Sequence, residues 1–359
     1  MERGTFLEVD LKKLAENSRR TMELCAAHHI EVLGVTKGFS AIPEIVRAMA
    51  DGGITKFADA RLENIKLLRA SGFLQHMTLL RIPMLSQTDE VVFYTNASLN
   101  SEYEVIERLS SSAASVGRRH DIVLMIEVGD LREGLLPEDA RAVMRRVLEL
   151  PGVRVAGVGT NMGCYGGILP TDRNLTALCR VAEELQNIAG YDFDVVSGGG
   201  TSSLMLAASG EMPAGINQLR VGEGILLGTD TTHNMDIPWL NQDAFVLHSE
   251  IIEVKEKPSV PYGETGLDAF GNTPMFEDMG VRRRAIVALG RQDSPPAGLT
   301  PFDPGVKILG ASSDHMILDI EDAERDYRVG GLMDFRLNYQ GLLNICSSKY
   351  VRRIYKNKA

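Results

Sequence analysis

Lys37 stands directly after a short apolar run, Val32-Leu33-Gly34-Val35-Thr36, and before Gly38. At the exit of a buried strand an amine is partly desolvated. That lowers its pKa and makes it nucleophilic towards an aldehyde. By itself, a surface lysine at a strand end would look the same. Two further segments add chemistry. Ser197-Gly198-Gly199-Gly200-Thr201-Ser202-Ser203 leads from one apolar run into a helical stretch, and Arg220-Val221-Gly222-Glu223-Gly224-Ile225 follows another. Bare glycines let backbone N–H groups approach an anion, and the hydroxyls add donors at a helix start.

Something must bring these segments together. Short β-branched runs alternate with helix-period stretches up to about residue 228. Eight strands are expected near Val32–Val35, Lys56–Ala58, Thr78–Ile82, Tyr94–Ala97, Ile122–Val128, Val153–Gly159, Phe193–Val196 and Gln218–Val221. Buried parallel strands have this form, short and apolar with Gly or a polar residue at the exit. Between them, Ile42, Ile45, Val46 and Met49 repeat at helical spacing with Pro43 in the first turn. Leu175, Leu178, Ala182, Leu185 and Ile188 do the same after the caps Thr171 and Asp172. Eight strand–helix units predict an α/β fold, a (β/α)8 barrel; a doubly wound sheet is the runner-up. Lys37 then leaves the first strand, and the two glycine turns leave the seventh and eighth, where barrels commonly bind phosphate. Lysine and phosphate at one mouth suggest pyridoxal 5′-phosphate held as a Schiff base.

After Gly228 the texture changes. Phe245–Val254 alternates, turn residues become dense, and Ala285–Leu289, Val306–Leu309 and Met316–Ile320 read as strands. The division predicted is a barrel over residues 1–240 and a mostly β domain over 241–359. Thr5–Val9 reads as a strand outside the eight that could pair with the second domain.

Composition narrows the function classes. The 359 residues are 44% hydrophobic and 24% charged, an ordinary globular balance. A net charge of −10 speaks against nucleic acid and anionic membranes as partners, since both want a basic face. No apolar run approaches a membrane span, and the first residues carry no apolar signal core, so a cytoplasmic protein is expected. Cys25, Cys164, Cys179 and Cys346 form no CxxC pair, and no His/Cys/carboxylate cluster has metal spacing. No metal is predicted. His76, His120, His233 and His248 read as isolated.

Ordered motifs along nearly the whole chain carry a family likeness: Val35-Thr36-Lys37-Gly38-Phe39-Ser40, Phe57-Ala58-Asp59-Ala60-Arg61-Leu62-Glu63-Asn64-Ile65, Gly198-Gly199-Gly200-Thr201-Ser202, Leu219-Arg220-Val221-Gly222-Glu223-Gly224, and Ala311-Ser312-Ser313-Asp314-His315 with Leu318-Asp319. The chain resembles the alanine racemase-like enzymes that use pyridoxal phosphate (fold type III), and within them the ornithine racemase group of amino-acid racemases.

The resemblance implies roles. Lys37 would hold the cofactor and act as one of two bases. Arg220 would bond the pyridine nitrogen; an arginine gives up no proton near neutrality, which favours racemisation over transamination. An ion pair with Glu223 is the plainer alternative for Arg220. Thr201 and Ser202 would bond the phosphate, helped by backbone N–H groups around Gly222, Glu223 and Gly224. Arg132, in Gly129-Asp130-Leu131-Arg132-Glu133-Gly134, matches an arginine near the cofactor's phenolic oxygen or the substrate carboxylate. Asn161 stands where alanine racemases usually have a histidine against the ring, and Tyr355 matches a C-terminal tyrosine lining the site.

Two departures stand out. Phe39-Ser40-Ala41 lacks the tyrosine expected soon after the lysine, and Arg291 occupies the position of the catalytic tyrosine of the second domain. An arginine is no base at neutral pH. A two-base racemase needs a proton carrier on each face. The candidates for the second are His315 and Asp314, then Asp293 and Ser312, with Cys346 weaker still.

The function expected is therefore racemisation of an amino acid, a basic one such as ornithine. A diamino-acid decarboxylase is disfavoured because Arg220 stands where those enzymes place a carboxylate. A non-catalytic pyridoxal-phosphate-binding protein is disfavoured by the extra domain. The resemblance also implies a head-to-tail homodimer with a shared site.

Overall fold

Strand β1 (Phe6–Asp10) and helix α1 (Leu11–Ala26) precede eight parallel strands: β2 (Glu31–Val35), β3 (Lys56–Asp59), β4 (His76–Leu79), β5 (Ala97–Asn100), β6 (His120–Met125), β7 (Val153–Gly159), β8 (Val195–Ser197) and β9 (Gln218–Val221). In this computed structural model, which describes residues 2–357, β2 to β9 close into a barrel in sequence order. Helices α2 (Pro43–Asp51), α3 (Leu62–Ala70), α4 (Thr88–Tyr94), α5 (Tyr103–Ser115), α6 (Pro137–Leu148), α7 (Asp172–Ala189), α8 (Leu204–Ser209) and α9 (Glu223–Leu227) alternate with them. The chain falls into two units, Lys12–Gln242 and Met1–Leu11 with Asp243–Ala359.

The barrel forms because its strands are apolar on both sides. Every residue of β9 is buried, as parallel strands covered on both faces require. Leu99, Val123 and Met125 pack inside, with Leu80 and Val195 against them. Gly157 permits the tightest approach: a Cβ there would lie 1.8 Å from the Val195 carbonyl oxygen on β8. Closure runs through Gly34 against Val221, so the exits of β2 and β9 are neighbours. A Cβ on Gly222 would meet the Val35 side chain at 3.1 Å.

One expected strand was misplaced. Tyr94 ends α4, and the fourth barrel strand is Ala97–Asn100. The run Val91-Val92-Phe93-Tyr94 has strand-like residue types, yet Val91 and Val92 bury themselves from a helix. The true strand is disguised by polar residues that satisfy one another: the Asn100 amide donates to the Ser98 hydroxyl at 2.9 Å, and His120 Nε2 bonds the same hydroxyl at 2.9 Å. Thr171 caps α7 as expected, in a reciprocal box with Asn174, while Asp172 is the first helical residue and Gly190 closes the helix at φ 76°.

The hairpin β10 (Thr229–Asp230) and β11 (Met235–Asp236) completes the barrel unit. The second unit is a mostly antiparallel sheet of β12 (Phe245–Pro258), β13 (Val281–Val287), β14 (Leu299–Pro301), β15 (Lys307–Ala311), β16 (Met316–Asp319) and β17 (Leu332–Leu337), ordered β14-β17-β12-β13-β16-β15. Helix α10 (Tyr339–Ser347) and strand β18 (Arg352–Lys356) follow. β1 pairs antiparallel with β12 and parallel with β18 within this unit. Strands β14, β17 and β18 escaped the sequence reading. No helix among the described residues is long and apolar enough to cross a membrane.

Candidate active site

Lys37 opens a 3-10 turn at the exit of β2. The preceding Thr36 donates its hydroxyl to Asp59 Oδ2 at 2.5 Å, joining the exits of β2 and β3. Asp59, buried to 1%, also accepts from the Arg61 N–H at 2.8 Å and from the Asn64 amide at 3.1 Å. Burial raises the Asp59 pKa, and these hydrogen bonds oppose the rise. Burial also lowers the Lys37 pKa. Arg132 and Arg220 push it the same way, while Cys164 and Asp59 oppose them. The amine therefore lies among groups delivered by four other strands, β3, β6, β7 and β9.

Arg220 is the penultimate residue of β9, 7% exposed. Its guanidinium donates to Ser197 Oγ at 2.5 Å, the Thr160 carbonyl at 2.5 Å and Asn161 Oδ1 at 2.9 Å. All three acceptors are neutral. Burial pushes its pKa down to about 10, helped by Arg132, and it stays charged at neutrality. An ion pair with Glu223 does not form. The Glu223 carboxylate turns instead to the Thr229 hydroxyl at 2.8 Å, the Thr231 N–H at 3.0 Å and the Thr231 hydroxyl at 2.5 Å.

The two glycine turns lie side by side. Thr201 Oγ1 accepts from the Gly224 N–H at 3.1 Å, and Arg220 N donates to the Gly199 carbonyl at 2.9 Å. Ser202 is buried, and Gly222 caps α9.

Arg132 belongs to the loop after β6. It forms an ion pair with Glu133, and Glu133 Oε1 also accepts from the Asn161 amide at 2.5 Å. Cys164 lies near Arg132 and supports its charge. The buried carboxylate of Asp130 holds that cysteine's loop by the N–H groups of Cys164, Tyr165, Gly166 and Ile168, at 3.3, 3.0, 3.1 and 3.4 Å. Thus Lys37, Arg132, Asn161 and Arg220, chosen from the sequence, share one neighbourhood. Glu133, Cys164, Asp59 and Ser197 complete it and were not singled out. A carboxylate adjacent to Arg132 in sequence was a signal available for Glu133; the others become neighbours only through barrel closure.

The second unit holds the remaining candidates. Arg291 N and Gln292 N donate to the Ser312 and Ser313 carbonyls at 2.9 and 3.0 Å, so two turns make one corner. Asp314 and His315 are exposed there. Asp314 accepts from the Ser313 hydroxyl at 2.6 Å, and the His315 N–H donates to Ser312 Oγ at 3.2 Å. Arg291 covers the Phe270 ring at 4.4 Å. Asp293 accepts from the Ser348 hydroxyl at 2.7 Å. Tyr355 lies on β18, opposite Val9. Cys346 is buried, its thiol pushed up to about 12, which removes it as a base. His233 and His248 are not isolated: Nδ1 of each meets a carboxylate, Asp230 and Asp334, both at 2.7 Å. No metal-holding group of three or more such side chains occurs among the described residues.

A closed parallel barrel in one chain with an antiparallel sheet is a fold that solved alanine racemases share. The enzyme from D-cycloserine-producing Streptomyces lavendulae has a TM-score of 0.78 at 17% identity, over 100% of this chain and 98% of that one. The chain belongs to the alanine racemase family, whose N-terminal domain matches residues 9–230. Similar relatives are an ornithine racemase of Acetoanaerobium sticklandii, 40% identical over 97% of this chain and 98% of the relative, and a lysine racemase of Thermotoga maritima, 41% identical over 98% of each.

Proposed function

We propose that this chain is a pyridoxal-phosphate-dependent racemase of a basic amino acid such as ornithine or lysine. One observation carries the reading: a buried lysine amine with a lowered pKa beside a buried guanidinium whose hydrogen-bond acceptors are all neutral. A buried cation without a bonded carboxylate suits an electron-rich acceptor such as a pyridine nitrogen, so the residues fit the cofactor. The preference for a basic substrate is supported by the ornithine and lysine racemases at about 40% identity.

Pyridoxal 5′-phosphate, when bound, supplies an aldehyde for an amine and an electron sink for a departing α-proton. The chain's own residues do the rest. Lys37, its charge disfavoured by burial, gives up the proton at Nζ more readily than an exposed lysine does. Arg220 would donate to the ring nitrogen and keep its own proton. Thr201, Ser202 and the N–H groups of Gly222, Glu223 and Gly224 hold the phosphate. Arg132 and Asn161 line the ring and the substrate carboxylate, and Tyr355 lines the site. His315, with Asp314 beside it, carries the second proton. Exposure of that corner supports a homodimer in which a second copy completes the site, and a cytoplasmic location is part of the same reading. The exposed side chains of Tyr262, Leu267, Met275 and Phe276 in the same unit also support the homodimer.

The test is incubation with L-ornithine, L-lysine and L-alanine in D2O followed by chiral analysis. The D-enantiomer of a basic substrate with deuterium at Cα is the expected product. Release of CO2 would instead identify a decarboxylase. A purified chain that stays colourless in excess pyridoxal 5′-phosphate overturns the reading.

A further inference from the structure

Resting on that reading, we propose that Glu133 is the positioning residue of the barrel site: it ties Arg132 to Arg220 through Asn161 and balances their charge beside Lys37.

Glu133 Oε1 accepts from Arg132 Nη2 at 2.5 Å and from Asn161 Nδ2 at 2.5 Å. The second bond decides how the Asn161 amide lies. Its nitrogen faces the carboxylate and its oxygen accepts from Arg220 at 2.9 Å. Reversing the amide would set oxygen against carboxylate and N–H against guanidinium, with no bond on either side. One carboxylate thus fixes the side chain that touches Arg220.

Its charge reaches equally far. The Glu133 side chain is 18% exposed and that of Arg132 31%. At such partly desolvated positions a charge acts more strongly than on a free surface. Arg132 opposes the charge on Arg220, and Glu133 supports it. The Lys37 amine is faced by Cys164, Arg132, Asp59 and Arg220. Without Glu133, the guanidinium groups of Arg132 and Arg220 would be opposed there by Asp59 and Cys164 alone, and the amine would hold its proton less firmly. The arrangement couples a residue on the loop after β6 to the proton affinity of a lysine at the exit of β2.

Cofactor uptake by the full-length chain, stripped of cofactor, tests this. The rate of visible absorbance gain with pyridoxal 5′-phosphate, followed against pH, reports the free amine of Lys37. E133Q keeps an acceptor oxygen and removes the charge; its uptake midpoint is expected about one unit lower in pH. E133A loses the acceptor as well, and its cofactor release is expected to be roughly 10–100-fold faster. E133D is expected to restore both measures most of the way. If E133A fails to fold, E133Q carries the test alone. A midpoint unmoved in E133Q overturns the proposal and leaves Glu133 a rim ion pair. Failure of the wild-type chain itself to take up cofactor defeats the proposed function, and this inference with it. Wild-type uptake matched by the variants defeats the inference alone.

Discussion

The barrel mouth and the turn corner of the β unit both carry polar residues, but in different states. At the mouth, Arg220 and Asp59 are buried and bonded to side chains from other strand exits. At the corner, Asp314 and His315 are exposed and bonded only to the serines beside them. A network with its partners satisfied is preorganised before any ligand arrives. An exposed turn has its chemistry set by whatever covers it. Under the proposed function, the mouth would retain the cofactor and the corner would carry the second proton.

Breaking the mouth has the largest expected effect. Lys37→Ala is expected to abolish the visible absorbance and lower kcat by at least about a thousandfold, with the melting temperature unchanged. Retained colour would erase the distinction between the two regions.

Acid should weaken the barrel next. His120 is buried against Ser98, and burial pushes its pKa down from 6.5 to about 4. As pH falls the unfolded chain takes up this proton first. Stability present above pH 6.5 is therefore lost progressively down to about 4, by about 3 kcal/mol. H120Q is expected to flatten that part of the pH profile in urea unfolding.

His315→Asn sharpens the comparison from the other side. Its expected effect is roughly a hundredfold fall in kcat with the cofactor spectrum intact. A changed spectrum would mean that the corner also governs cofactor retention. The smallest effect belongs to Arg291→Ala, which removes a ring contact and a bond to the Ala311 carbonyl at 3.0 Å. Chemical denaturation should register a loss of no more than about 1 kcal/mol, with the absorbance untouched.

The same contrast explains what the sequence disclosed. Lys37 and Arg220 were legible because each directly follows an apolar run, and strand exits are where barrels place their chemistry. The strand Ala97–Asn100 was missed because Ser98 and Asn100, on the face opposite Leu99, are buried in a polar cluster of their own. Strand β17 alternates cleanly, with Met333, Phe335 and Leu337 buried, and could have been read. The partners of His248 could not. Glu8 and Asp334 lie far from it in sequence, and only the pairing of β1 and β17 with β12 delivers them. Glu133 adjoined Arg132 in plain view, but its bond to Asn161 depends on neighbouring barrel strands.

Strand β1 is hydrogen-bonded on one side to β12 and on the other to β18, with Phe6 opposite both His248 and Arg352. On a ribosome this strand emerges long before either neighbour. At roughly 5–20 residues per second, its last partner arrives on the order of twenty to seventy seconds later. In that interval the whole cylinder can be completed while β1 waits with both edges bare. Premature termination between β9 and β12 would release a finished barrel trailing an adhesive ribbon, the kind of species that chaperones capture.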